Sequence, residues 1–304
     1  MIKSVTIINY LNEKLVLELG RPDKSGLLIK SIEGLGPSEA TINAKEIATS
    51  DGALFNSARV NSRNIVLTLG FLFHPTVEDM RQLTYKYFPI KQRLTIRIET
   101  DNRIAETYGY VETNEPDIFQ KEEMTQISII CPDAYFYSAG SDGNNVTVFS
   151  GIEDAFEFPF SNESLTENLI EFGKIHYSQE QTVYYNGDAE IGIIITIHAI
   201  GAAKNVTIYN TGTRGIMKID TEKIEQLTGY GIINGDDIII STVKKDKYIH
   251  LLRNGEYINI LNALDKDSEW FQLTKGDNIF AYTAEEGATN LQFKIENRTL
   301  YEGV

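Results

Sequence analysis

A single cysteine, Cys131, leaves no partner for a disulfide within the chain. It follows Ile127 and Ile129 on one face of an expected strand, which marks a buried apolar thiol. No histidine lies near it in sequence to act as a base for a nucleophile. Histidine is scarce too. His74, His176, His198 and His250 are scattered, and none has a second histidine or a cysteine two to four residues on. HExxH, paired cysteines and Gly-x-Ser-x-Gly are all missing, so no metal, cofactor or catalytic residue is assigned and no enzyme is expected. Long apolar runs are lacking as well: the longest, residues 191–200, is broken by Gly192, Thr196 and His198. That falls far short of the ~20 residues that cross a bilayer as a helix, so no membrane insertion is expected. The first nineteen residues alternate like a strand and carry none of the marks of a secretory signal, which predicts synthesis in a cytoplasm.

Positive charge is the last deficit. The formal net charge is −15, which argues against a nucleic-acid partner, since phosphate contacts need a basic surface. The imbalance is uneven. Residues 1–139 hold 15 Lys+Arg against 18 Asp+Glu, net −3, while residues 140–304 hold 13 against 25, net −12. The small-polar tract at 139–146 coincides with that shift and reads as a linker. The expected domains are therefore 1–138 and 147–304, joined through 139–146.

What the chain does have is strand. In residues 64–73, Ile65, Leu67, Leu69, Phe71 and Phe73 alternate with a second set, as a well-buried strand would. His74-Pro75 stops it. Thr76 then stands as an N-cap with Glu78 and Asp79 in the first turn. Val77, Met80, Leu83 and Tyr87 recur at helical spacing, and Pro89 ends the helix at 88. This helix, 76–88, is the one convincing helix; 222–227 offers a single turn at most. Further strands are expected over 3–8, 15–19, 27–32, 93–99, 103–112 and 123–131, and the weakly patterned 40–57, with a turn at Asp51-Gly52, reads as a long loop.

The second half shows short strands with turn signals about every 8–12 residues, the pattern of a β-sandwich or jelly roll. They are expected over 168–172, 190–200, 205–209, 215–220, 237–243, 248–252, 257–261, 270–273, 278–282 and 290–296. Asn254-Gly255 is a strong type I′ hairpin signal. Carboxylate neighbours such as Asp236-Asp237 and Glu285-Glu286 sit in or near turns and read as solvated acids. A glycosidase would need two carboxylates converging across a cleft. Trp270, beside Phe271, reads as sandwich core; the competing reading makes it a sugar contact in a carbohydrate-binding β-sandwich adhesin.

Asp51-Gly52, then Asn61-Ser62-Arg63-Asn64-Ile65 opening a strand, then the helix and the strand beyond it, resemble the N-terminal domain of the siphophage distal tail protein (Dit) family. The stretch from Trp270-Phe271 through Gly276-Asp277-Asn278 to Tyr301-Glu302-Gly303-Val304 is similar to the end of the same family. The resemblance implies a mainly β protein: an N-terminal β-sandwich or split-barrel-like domain with one helix, and a C-terminal galectin-like (jelly-roll) β-sandwich. It implies a structural hub in the virion, at the distal end of a tail. Six copies would close a ring with the tail tube protein on one side and the tail-tip or tail-associated lysin protein on the other, and often with receptor-binding proteins. Strand and loop placement nominate Asp51, Arg59, Arg63, Leu67, Leu69 and Arg97 as contacts between subunits, with the 40–57 loop reaching a neighbour or the adjacent ring.

Overall fold

The computed structural model describes residues 1–46, 51–72, 76–117, 122–140, 143–153, 174–177 and 179–304. The stop at 74–75 and the strand expected over 168–172 lie outside them. Two units divide the chain: Met1–Gly143 with Thr299–Val304, and Asn144–Arg298.

The first unit begins with β1 (Ile2–Ile8), β2 (Lys14–Glu18), β3 (Leu27–Glu33), β4 (Ala40–Glu46), β5 (Ala53–Val60) and β6 (Arg63–Phe71). After α1 (Val77–Tyr87) come β7 (Arg93–Thr100), β8 (Ile104–Asp117), β9 (Met124–Cys131) and β10 (Phe136–Ser138). Seven of these strands form one antiparallel sheet in the order β2-β1-β7-β8-β9-β6-β3, with β10 attached to β8. Alternation decides which side each residue takes. Val5 and Ile7, Leu94 to Ile98 in steps of two, Ile127 and Ile129, and Ile65, Leu67 and Leu69 all enter one buried cluster. The Thr76 hydroxyl accepts a bond from the Asp79 N–H, and α1 places Met80 against that cluster.

The second unit runs through β11 (Asn144–Val148), β12 (Ser150–Glu153), β13 (Lys174–Tyr177), β14 (Glu180–Tyr185), β15 (Ile191–Gly192), β16 (Ile194–Ala199), β17 (Lys204–Asn210) and β18 (Gly215–Ile219). It continues with α2 (Thr221–Thr228), β19 (Asp237–Ser241), β20 (Tyr248–Arg253), β21 (Glu256–Asn259), β22 (Gln272–Leu273), β23 (Gly276–Glu286) and β24 (Leu291–Arg298). A six-stranded sheet, β11-β24-β16-β19-β20-β21, faces a four-stranded one, β14-β23-β17-β18. Tyr282 of β23 stacks on Phe293 of β24 with ring centroids 3.7 Å apart, so the two inner faces meet in one core. The protein is mainly β, with a sandwich in its C-terminal half.

Four expectations are corrected here. The second helix is real: Asp220 caps it through the N–H groups of Glu222 and Lys223, and Gly229, at φ 81°, closes it in the left-handed conformation. Residues 40–46 and 53–60 pair as a hairpin where a loop is expected, β4 running against β5 from Ala40↔Val60 to Glu46↔Ala53. Asp236 is buried instead of solvated, paired with Arg253 at 2.6 Å, while Asp237 bonds His198. Finally, the second unit stops at Arg298. After it β25 (Leu300–Tyr301) pairs with β10, and the Val304 N–H bonds the Leu35 carbonyl at 3.0 Å. Burial of Leu300 holds this return in the first unit.

Candidate functional site: an exposed β-hairpin arm

The β4–β5 hairpin pairs with no other strand among the described residues. Every residue of β5 is exposed, and so are six of the seven in β4. Four of its large apolar side chains stand in water: Ile42 is 65% exposed, Leu54 57%, Phe55 63% and Val60 41%. A lone two-stranded hairpin is marginally stable in water, because its strands bury little of each other's surface. Here side-chain and turn bonds reinforce the pairing at the base and on one rung. The Asn61 N–H bonds the Glu39 carbonyl at 2.9 Å, Thr41 Oγ1 bonds Asn61 Oδ1 at 2.9 Å, and Asn43 Nδ2 bonds Ser57 Oγ at 3.0 Å. Gly52 supplies positive φ, 89°, where the chain enters β5. The arm thus offers main-chain edges and apolar side chains on the same element, a combination that pairs readily with another chain.

The six residues nominated as subunit contacts fall into three environments. Asp51 and Arg59 belong to the arm and are exposed. Arg97 is half-buried on β7, where Nη2 bonds the Glu106 carboxylate at 2.9 Å on the neighbouring strand. Arg63, Leu67 and Leu69 lie inside their own protomer, which corrects their assignment to a subunit interface. Leu67 and Leu69 are core residues by the same alternation that defines β6.

Arg63 has a different task. It is 3% exposed, and its guanidinium donates to four main-chain carbonyls: Nη1 to Gly34 and Gly36, Nη2 and Nε to Ala134, and Nη2 to Glu302 at 2.6 Å. The Phe136 ring lies 4.3 Å beneath it. Burial lowers the pKa of the guanidinium from its ordinary value, but a group this basic stays charged. A planar fork of five donors ties two loops and the C-terminal segment to the root of the arm. Its position two residues before Ile65 places it on the buried face of β6, a signal present in the sequence period.

The apolar residues of the arm were not among the nominated contacts. Leu54-Phe55 after Asp51-Gly52 was the available signal, since a turn followed by strand-forming residues indicates a hairpin. Trp270 is partly buried rather than core. Phe271 fills the core instead, edge to face with Phe280, and the Lys247 ammonium sits 5.0 Å over the Trp270 ring. Of the enzyme-like acids, Glu285 accepts a bond from Asn205 Nδ2 at 2.9 Å. Cys131 is buried, and burial pushes its thiol up to about 11.

Residues 186–297 match the family described as siphovirus-type tail component, C-terminal domain. The solved structure of Dit from phage SPP1, described as a paradigm of the hub adsorption apparatus in phages infecting Gram-positive bacteria, is similar over 97% of this chain and 98% of that one. The TM-score is 0.67 at 13% identity. A chain of the activated phage P2 baseplate with calcium aligns over 98% of both chains with a TM-score of 0.48 and 10% identity. No curated protein matches the sequence. Residues 186–297 thus match the C-terminal domain of siphovirus-type tail components, and the chain shares its fold with SPP1 Dit over 97% of its length.

Proposed function

We propose that this chain is a distal tail protein whose N-terminal unit closes into a six-membered ring at the end of a siphophage tail. The observation that carries the reading is the arm. A hairpin exposed on both faces, with Leu54 and Phe55 in water, gains burial when it lies on a second copy. A ring needs head-to-tail contacts, in which each subunit offers two different surfaces; an arm and the surface that receives it form such a pair. The near-neutral charge of residues 1–139 suits the packing of six copies, where a strongly charged unit would repel itself. The role is assembly rather than catalysis. The ring would join the tail tube protein to the tail-tip or tail-associated lysin protein and to receptor-binding proteins, and the chain would reside in the virion.

The test is removal of residues 40–60, bridged by two glycines. Glu39 and Asn61 are already hydrogen-bonded, so the deletion leaves the rest of the unit in register. We expect a folded monomer by light scattering and circular dichroism. Rings formed by the shortened chain would overturn the reading.

A further inference from the structure

The outer face of the six-stranded sheet carries a second, independent arrangement. Strand register places its outward residues in rows. One row runs Val148, Lys294, Thr196, Ile239, His250 and Asn259; the next runs Gln292, His198, Asp237, Leu252 and Tyr257. At one end, three rings are packed together. Tyr248 stacks on His250 with centroids 4.6 Å apart and planes 19° apart, and Tyr257 meets His250 edge-on at 6.2 Å. Tyr257 remains 66% exposed. Beside them lies a hollow of about 500 Å³ floored by Ile194, Thr196 and Ile239, with His198 and Asp237 in its wall. His198 Nδ1 and Asp237 Oδ1 are 2.7 Å apart. With Nδ1 engaged, Nε2 is the ring nitrogen left to bond a ligand.

We propose that this face binds a neutral oligosaccharide. A sugar ring has an apolar C–H face and a rim of hydroxyls. The first is met by an exposed aromatic ring, and the second by polar side chains that hydrogen-bond hydroxyl groups. Tyr257, braced by the His250–Tyr248 stack, supplies the ring; the His198–Asp237 pair supplies an imidazole and a carboxylate. Asp237 and Tyr257 stand two strands apart, about 10 Å at the usual strand spacing, so a ligand touching both spans more than one sugar unit. The hollow lies within the ~300–1,000 Å³ of small-molecule sites. Charge decides against acidic glycans. Residues 140–304 carry net −12, and the one lysine lining the hollow, Lys294, is paired with Glu296 at 3.2 Å. The site lies wholly within Asn144–Arg298, so it holds whether or not the arm closes a ring.

The experiment is titration of the full chain with maltotetraose, cellotetraose, chitotetraose and lacto-N-tetraose, followed by calorimetry and by hydrogen exchange over residues 248–259. We expect at least one to bind and to protect that segment. Tyr257→Ala and Asp237→Asn should each weaken binding about tenfold, while Trp270→Ala leaves it unchanged. Tyr257 is exposed, so its variant should fold, and protection of the unaltered chain provides a readout that needs no variant. Binding of none of the four overturns the proposal. So does binding that survives both substitutions, or binding lost only in Trp270→Ala.

Discussion

Strands β5 and β6 are separated by two residues, Asn61 and Ser62, yet they live in opposite surroundings. β6 is flanked by β3 and β9, and its alternate side chains from Arg63 to Phe71 are buried. Among the described residues β5 pairs only with β4, and all eight of its residues are exposed. Both carry large apolar residues, so composition does not separate them. The difference lies in whether the chain supplies a covering layer for each strand. For β6 it does, through α1 and the sheet. For β5 it does not, and Leu54 and Phe55 stand in water, an apolar surface that the proposed ring would cover.

Substitutions in the two strands should therefore act on different quantities. The largest effect on stability is expected at Arg63. Arg63→Met removes a charged donor from four main-chain carbonyls in part-buried bonds and should cost about 3–5 kcal/mol in denaturant unfolding. Arg63→Lys should recover little of it, because an ammonium cannot reproduce the planar fork. Leu69→Ala, in the same strand, should cost about 2–5 kcal/mol by opening a cavity. Cys131, opposite Arg63 on β9, should resist alkylation near neutral pH in the folded protein and react once the chain unfolds in denaturant. Leu54→Ser with Phe55→Ser lies at the other end. Unfolding free energy should move by less than about 1 kcal/mol in total while the assembled fraction falls sharply. Equal loss of stability in the two strands would erase the distinction drawn between them.

How much of this was legible in the sequence follows from the range of the interactions. The alternation of β6, the Thr76 cap of α1 and the Asn254-Gly255 hairpin are local signals, and they were readable. Asn254 and Gly255 do take positive φ, 53° and 82°. The short helix α2 announces itself only by its caps, Asp220 and Gly229, since eight residues are too few for an apolar stripe to stand out. The arm was hidden because its strands face no core, and without a core there is no reason for strict alternation. The return of β25 to β10 joins residues more than 160 positions apart, and no local pattern encodes it. Of the residues nominated for subunit contact, Arg63, Leu67 and Leu69 turned out buried because the period that made them conspicuous marks a core strand.

The central claim is that copies of this chain complete one another through the arm. Its most direct test is the native mass of the unaltered protein by light scattering across a concentration series. Six copies of 34.2 kDa give about 205 kDa, and a species of that mass, lost when Leu54 and Phe55 become serine, is the predicted result. A 34.2 kDa monomer at every concentration would contradict it.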